Sequence, residues 1–299
     1  MNLLAVLVIY NCKIAEAKTL TSLLRIYAKN PKAFRNFRLI IYDNSLLEQS
    51  IHLTIPFEHQ YVHDRNNKGL AVAYNYALNE AIKTSHDWLL LLDQDSSLPE
   101  DFIDNLSCDL SIIGEDTTVT AVVPKMRYRK VIFSPTKVFF GGIIRAIDMR
   151  HRGICTFKNV FAIGSGCVIK VSFLQTIGGF NEVFWMDCLD RWLFLTINNM
   201  GGKVYVTDSI IEHEVSVMNF DKLMNEQRYY NILKYETLFM KSFKSRAENY
   251  IFYLRLIKRA IYLFFTVSDK KYSLMTLRHL MDIIMSPNKQ LKSCPPLHR

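Results

Sequence analysis

Apolar runs of strand length alternate with helical stretches over the first hundred residues, and this alternation constrains the fold more than any other feature. Leu3 to Tyr10 is a continuous apolar run, and a helical pattern follows from about Ala15 to Ala28. The later elements of this kind are the strand runs Leu39 to Tyr42, Tyr61 with Val62, and Trp88 to Leu92, and the alanine-rich helical stretch Leu70 to Ile82. Strands that alternate with helices form parallel sheets covered on both faces. The sequence therefore predicts an α/β fold whose ligands bind beyond the carboxyl ends of the strands.

The pattern changes after about Val119, where short strands and glycine-containing loops replace the alternation. Helical patterning resumes near Asp187 and again from about Phe220. We predict one domain in residues 1–218, divided into halves at about residue 115, and a helical extension in residues 219–299.

The charge is distributed unevenly along the chain. Residues 1–218 carry 22 Lys and Arg against 22 Asp and Glu, whereas residues 219–299 carry 15 against 6 and hold the whole net charge of +9. A basic segment of this kind favours an anionic partner. The six cysteines form no CxxC pair, which argues against a zinc site or a disulfide framework. A reducing cytoplasm fits these scattered cysteines best, so we expect a cytoplasmic protein. No apolar run approaches the roughly 18 residues of a membrane span.

Two carboxylates, Asp93 and Asp95, follow the strand run Trp88 to Leu92. At this spacing an extended backbone directs both side chains to the same side. A hard divalent cation such as Mg²⁺ binds one or two carboxylates and completes its coordination with water and phosphate oxygens. An acidic turn with solvated side chains has the same sequence, but the position at a strand end favours a metal and diphosphate site.

Other polar residues are expected at the same edge. Asp43 ends the second strand and could accept hydrogen bonds from a nucleobase or ribose, or be an ordinary turn residue. Asn67, Gly69 and Asn75 surround the start of the helix at Leu70, where backbone N–H groups suit contact with a nucleotide. An asparagine in this position can equally be only a helix cap.

Asp187 and Asp190 are spaced three apart at the start of a predicted helix, where they would share one face. Either could act as a general base, and either could simply stabilise the helix start through the dipole. His213 follows a predicted strand and is a candidate third metal ligand, although a lone histidine is more often structural. Arg228 and Tyr229 could contact a leaving diphosphate or begin an amphipathic helix.

Taken together, these motifs resemble family 2 of the inverting glycosyltransferases, with the GT-A fold, and within it the bacterial rhamnosyltransferase-like branch. The likeness covers about residues 3–235 and is carried by Leu3 to Tyr10, Asp43-Asn44-Ser45, Asn67 to Asn75, Asp93-Gln94-Asp95, Gly178-Gly179-Phe180, Asp190 and Arg228-Tyr229-Tyr230. The resemblance implies a Rossmann-like mixed sheet flanked by helices, with the donor bound by residues 1–115 and the acceptor by 116–218.

The resemblance also implies roles for single residues. Asp190 would be the catalytic base, Asp93, Asp95 and His213 would hold Mg²⁺ or Mn²⁺, and the contacts with the nucleotide sugar would come from Tyr10, Asp43, Asn67, Gly69, Asn75, Asp93, Arg228 and Tyr229. The implied activity is transfer of a sugar, with rhamnose as one candidate, from a nucleotide diphosphate to a hydroxyl of a glycan or lipid-linked acceptor, with inversion, in bacterial surface polysaccharide synthesis.

The basic extension leaves two interpretations open. In the stretch from Ile251 to Phe265 the basic residues Arg255, Lys258 and Arg259 lie on one side of a helix that also has an apolar stripe. Such a helix can lie on the anionic inner face of a membrane or pack on the rest of the protein. A nucleotidyltransferase and a nucleotide- or nucleic-acid-binding protein are the alternative functions. No basic glycine-rich loop follows the first strand, and the first 218 residues are neutral, so no nucleic-acid partner is expected.

Overall fold

The computed structural model describes residues 2–50, 52–114, 116–213, 220 and 224–285. The strands in this part of the chain are β1 (Leu3–Ile9), β2 (Phe37–Asp43), β3 (Glu58–His63), β4 (Trp88–Asp93), β5 (Val119–Tyr128), β6 (Val131–Ser134), β7 (Thr136–Val138), β8 (Ile144–Ala146), β9 (Gly153–Ile154), β10 (Val160–Phe161), β11 (Val168–Lys170) and β12 (Lys203–Glu212). The α-helices are α1 (Lys18–Lys29), α2 (Leu70–Lys83), α3 (Phe102–Ile113), α4 (Val171–Thr176), α5 (Leu189–Asn199), α6 (Glu226–Phe243), α7 (Arg246–Thr266) and α8 (Lys271–Met285).

Residues 2–137 and 145–213 belong to one compact unit, and residues 138–144, 220 and 224–285 belong to a second. We call them the sheet unit and the helical unit. The predicted boundary between residues 218 and 219 lies outside the described residues, as does Cys294. The five described cysteines are free thiols.

The first four strands of the sheet unit are parallel, in the order β3-β2-β1-β4. Every residue of β1 is buried, and its alternate residues Leu3, Ala5 and Leu7 pack in one apolar cluster with Leu20 and Leu23 of α1. The intervening residues point to the opposite face, where α2 contacts β1 and β4. The small alanines of α2 allow this close approach. The predicted alternation of strands and helices is therefore confirmed.

The later strands make the sheet mixed. Beyond β4 its order continues β11-β5-β12-β9, with β6 paired to β5. The short strand β11 runs antiparallel to both β4 and β5, whereas β12 is parallel to β5. Inserting β11 beside β4 brings the loop before it, residues 164–167, against the end of β4. Gly166 N–H donates to the Leu91 carbonyl at 2.7 Å.

The helical unit has its own core. Tyr229 and Leu233 of α6 pack with Phe252 and Leu256 of α7 and with Leu280 of α8. Helix α7 begins with a capping box, in which the Ser245 hydroxyl and the Glu248 carboxylate each accept a hydrogen bond from the other residue's backbone N–H. Among the described residues, no helix combines the length and the apolar character that crossing a bilayer requires.

Candidate functional site

Two aspartates predicted at the strand ends do lie at one edge of the sheet. The parallel register pairs Ile9 with Asp43 on one side of β1 and Val8 with Asp93 on the other. Tyr10 follows β1 directly and is half exposed, and its backbone N–H donates to the Gln94 side chain at 2.7 Å. The parallel register therefore brings Tyr10, Asp43 and Asp93, which were predicted from separate motifs, to the same edge.

Asp93, Asp95 and His213 form a compact cluster in which one ligand atom of each lies within 4.8 Å of the others. His213 reaches the cluster because Ser97 and Glu212 exchange two backbone hydrogen bonds, which hold the end of β12 beside the Asp-Gln-Asp turn. The Nδ1 atom of His213 lies 2.9 Å from the Ser96 hydroxyl and 3.5 Å from Asp95 Oδ1. Long-range pairing thus unites residues about 120 positions apart.

The donor atoms of this cluster suit a hard divalent cation. Asp95 Oδ1 is buried and has no hydrogen-bond partner among the described residues. Buried polar atoms are normally hydrogen-bonded, and an oxygen whose ionic neighbour, His213 Nδ1, lies 3.5 Å away is available to a ligand. Two carboxylates and an imidazole are donors that Mg²⁺ and Mn²⁺ accept, with other positions left for water or phosphate oxygens. The residues present therefore fit a metal ion.

The electrostatics of Asp93 indicate the same need for positive charge. The pKa of Asp93 is raised to about 8, mainly by burial and also by the nearby negative charges of Asp95 and Asp190, while a hydrogen bond with Ser165 opposes the increase. Three carboxylates near one point repel one another. A bound cation would offset the repulsion among the ionised carboxylates, because it is the largest local charge in such a site.

Asp190 lies in the first turn of α5, next to the glycine loop before β11. Its carboxylate accepts a hydrogen bond from the Gly164 N–H at 3.2 Å. Burial raises the pKa of Asp190, the Gly164 N–H partly offsets this, and the charge of Asp187 adds to the increase. A partly buried carboxylate with an elevated pKa is a better proton acceptor than an exposed one.

The expectation that Asp187 and Asp190 share a helical face is wrong. Helix α5 begins at Leu189, and Cys188 before it has a left-handed backbone with φ of 65°. Asp187 therefore lies in the preceding turn rather than on the helix, so its direction is independent of the helical repeat.

The turn before α2 is held by Trp185, a residue the motifs did not point to. Its indole N–H donates to the Asn67 carbonyl and its own carbonyl accepts from the Leu70 N–H, both at 2.8 Å. Gly69 has a φ of 96°, and an added Cβ there would collide with the Trp185 backbone oxygen and ring. We expected free N–H groups at this helix start, but that of Leu70 is already bonded. The sequence signal for this contact is Gly69 itself, because a glycine at this position allows both the positive φ and the close approach of Trp185.

Asn75 holds the glycine turn that precedes this tryptophan. Its amide donates to the Phe180 carbonyl at 2.9 Å and to Glu182 at 2.9 Å, and its oxygen accepts from the Phe180 N–H at 2.7 Å. The side chain is thus fully engaged within the protein. The side chain therefore has a structural role in the turn, and the contact of Asn75 with a nucleotide stays a prediction.

Asp43 is fully buried, and its carboxylate is already bonded. It accepts hydrogen bonds from the Ser45 N–H at 2.8 Å, from the Gln49 amide at 2.9 Å and from the Tyr61 hydroxyl at 2.9 Å. The Gln49 amide also donates to the Cys12 carbonyl and accepts from the Ile14 N–H. Desolvation is the main reason that the pKa of Tyr61 is raised to about 12. A nucleobase would reach Asp43 only by displacing Gln49 or Tyr61.

The two residues predicted on the helical extension differ in exposure. Tyr229 is 2% exposed, and its hydroxyl bonds to Thr276 at 2.6 Å in the core of the helical unit. The ring is used in packing, and the contact of Tyr229 with the nucleotide sugar stays a prediction that would require the ring to leave this core. Arg228 is partly exposed on the same helix, and its contact with a diphosphate stays a prediction.

Comparison with known proteins gives a consistent family assignment. The sequence profile of the family described as "Glycosyl transferase family 2" matches residues 5–178. The dTDP-rhamnosyl transferase RfbF of Shigella flexneri is 24% identical over 144 residues, which are 48% of this chain and 48% of that protein. The chain therefore spans about half the length of this relative.

Solved structures share the fold. The crystal structure of S. aureus TarS matches with a TM-score of 0.56 at 14% identity, covering 97% of this chain and 50% of TarS. TarS 1–349 in complex with UDP-GlcNAc matches with a TM-score of 0.56 at 14% identity, covering 96% of this chain and 81% of that one. At these identities the likeness concerns the fold, a GT-A mixed sheet flanked by helices.

Proposed function

This chain belongs to glycosyl transferase family 2, and we propose that it moves a sugar from a nucleotide-diphosphate sugar to a hydroxyl of a glycan or lipid-linked acceptor, with inversion at the sugar carbon. The observation that carries this proposal is the arrangement of Asp190 beside the cluster of Asp93, Asp95 and His213 at the carboxyl edge of the sheet. The likeness to a dTDP-rhamnosyl transferase supports rhamnose as the sugar to test first.

Asp93, Asp95 and His213 would hold Mg²⁺ or Mn²⁺. The bound cation would offset the charge of the donor's diphosphate as that group leaves. The position of the cation would be set by the protein. Ser96 and the bridge from Ser97 to Glu212 fix the imidazole and the carboxylates relative to the end of β4. The donor's diphosphate is therefore expected beyond β4, and the nucleoside toward Tyr10 and Asp43.

Asp190 would act as the general base. Its carboxylate takes the proton of the acceptor hydroxyl while the hydroxyl oxygen attacks the anomeric carbon from the face opposite the diphosphate. One C–O bond forms as the bond to the diphosphate breaks, so a single displacement inverts the configuration. The pKa of Asp190 is raised mainly by burial, and a raised pKa makes the carboxylate a stronger proton acceptor, as a general base requires.

We further propose that the protein works on the cytoplasmic face of a membrane in the synthesis of a bacterial surface polysaccharide. The charge of the extension supports this location, because 15 of its residues are basic and 6 are acidic. The contact that we propose is peripheral, and none of the described helices of the helical unit is both long and apolar enough to cross the bilayer.

A ligand panel tests the proposed function directly. The full chain is mixed with nucleotide sugars, including dTDP-rhamnose and UDP sugars, with Mg²⁺, with Mn²⁺ or with a chelator. A donor that binds the native state raises the melting temperature, and this rise should disappear with the chelator. With an acceptor present, the released product should be a nucleoside diphosphate. Release of pyrophosphate from a nucleoside triphosphate and a sugar phosphate would instead identify a nucleotidyltransferase.

A further inference from the structure

Helix α7 of the helical unit is apolar on two sides. One row, Phe252, Leu256, Ala260 and Leu263, is buried in the unit's core. A second row is solvent-exposed and consists of Tyr250, Leu254, Ile257, Ile261 and Phe264, which are 69%, 66%, 40%, 55% and 50% exposed. The second row repeats at intervals of four and three residues, so it forms one continuous stripe along the helix. A surface helix normally presents polar residues on that side.

The segment of residues 138–144 adds exposed apolar side chains next to α7. It packs beside α7, since a Cβ on Gly141 would lie 3.1 Å from Ile251 and a Cβ on Gly142 would lie 2.6 Å from the Arg255 guanidinium. The neighbouring side chains of Phe140 and Ile143 are 67% and 62% exposed. We call the outward row of α7 with Phe140 and Ile143 the apolar face. Contiguous patches of this kind mark interaction sites.

The charges around the apolar face are basic. Between Asn249 and Thr266 the helix has three basic residues and no acidic one. We expected Arg259 on this surface, but its side chain turns inward and pairs with Glu236 at 2.7 Å. Lys258 is exposed beside the stripe and Arg255 is partly exposed. Residues 224–285 contain eleven Lys and Arg against five Asp and Glu.

We propose that the apolar face docks on the surface of an anionic lipid bilayer, with its apolar side chains in the interface and Lys258 among the headgroups. Such binding combines apolar burial with attraction to anionic lipid. Charge complementarity favours a bilayer over a second copy of the chain, because a symmetric contact between two copies would oppose the same basic surfaces. The inference is independent of which sugar is transferred, and α7 lies on the bilayer without crossing it.

Vesicle co-sedimentation of the full chain tests the proposal, with bilayers of phosphatidylcholine alone or mixed with phosphatidylglycerol. We expect binding to the mixed vesicles only, and weaker binding at high salt. The double variant Leu254→Ser with Ile261→Ser should bind about tenfold or more weakly, since two apolar side chains no longer enter the interface. Lys258→Gln should weaken binding by about fivefold.

The matched control is Ile112→Ser on α3, which removes an equally exposed apolar side chain, 65% exposed, from the sheet unit. It should bind vesicles as the unchanged protein does, and circular dichroism should show that all variants are folded. The proposal is overturned if the unchanged protein stays in solution with anionic vesicles, or if the double variant binds as well as it does. Sedimentation of the unchanged protein as a dimer that the double variant dissociates, without vesicle binding, would identify a second copy as the occupant.

Discussion

The indole N–H of Trp185 donates a hydrogen bond to the backbone carbonyl of Asn67 at 2.8 Å. The Trp185 carbonyl accepts in turn from the Leu70 N–H at 2.8 Å, so the tryptophan holds the turn before α2 at two points. Trp185 precedes Asp190 by five residues. The turn proposed to contact the donor and the residue proposed to activate the acceptor are therefore linked through one short segment.

Gly69→Ala should disturb this link. The added methyl group would collide with Trp185, and the φ of 96° is unfavourable for alanine. We expect the free energy of unfolding to fall by about 1–3 kcal/mol and donor affinity to fall with it, as measured by denaturant titration and calorimetry. Gly153→Ala is the control, because its φ is 113° but nothing lies within 4 Å of the added Cβ. If both variants lose the same stability, the contact with Trp185 is unimportant.

Asp190→Asn should abolish proton transfer with little effect on donor binding. Asparagine has nearly the same size and can still accept the hydrogen bond from Gly164, but it cannot take a proton. General-base contributions are typically about 10²- to 10⁴-fold, which sets the expected loss in kcat. Asp187→Asn, in the turn before α5, is the control and should retain most activity. An inactive Asp187 variant beside an active Asp190 variant would reverse the assignment, and a product with retained configuration would exclude the single displacement.

The difference in stability between Asp190→Asn and the unchanged protein should depend on pH. Burial raises the pKa of Asp190 in the folded protein above its unfolded value of about 3.9. The folded state therefore binds this proton more tightly, and ionised Asp190 lowers stability once the pH exceeds the unfolded pKa. Without metal, the variant should be more stable than the unchanged protein at neutral pH, and the difference should vanish as the pH falls below about 4. Equal melting temperatures at neutral pH would contradict the raised pKa.

Asp95→Ala should remove metal-dependent donor binding while the fold stays intact. Asp95 provides to the cluster a carboxylate oxygen that accepts no hydrogen bond among the described residues, and it makes little contribution to the apolar core. Isothermal calorimetry with Mn²⁺ and donor should show no binding, whereas the melting temperature without metal should not fall, because the variant removes one of the charges that repel Asp93. Asp101→Ala removes an exposed acid before α3 and should bind normally. Unchanged donor affinity in the Asp95 variant would rule out its role as a metal ligand.

Gln49→Ala should strengthen nucleotide binding. The Gln49 amide donates to the same carboxylate oxygen of Asp43 as the Tyr61 hydroxyl, so it competes with a nucleobase that uses Asp43. Removing this competing hydrogen bond should improve the affinity for the nucleoside diphosphate by about two- to tenfold. Weaker binding would mean that Gln49 itself contacts the nucleotide. Asp43→Asn, which keeps the shape but loses the charge, should bind the nucleotide more weakly in either case.

The sequence alone predicted the strands and helices of the first hundred residues and the edge at which Asp43 and Asp93 lie. These features depend on local patterns, because a short apolar run buries a strand and the parallel βα order aligns the strand ends. The Asp-Gln-Asp motif was informative for the same reason. It follows β4 directly, so its position needed no knowledge of distant contacts.

The tertiary structure decided which side chains are available for chemistry. His213 joins the two aspartates only through the pairing of Ser97 with Glu212, while Asn75, Tyr229 and Arg259 turn to partners inside the protein. The sequence around Asn75, Tyr229 or Arg259 looks the same whether the side chain contacts a ligand, faces solvent or bonds inside the protein. A polar group is directed inward when a distant residue satisfies its hydrogen bonds at lower cost than solvent, and that comparison involves the whole folded chain.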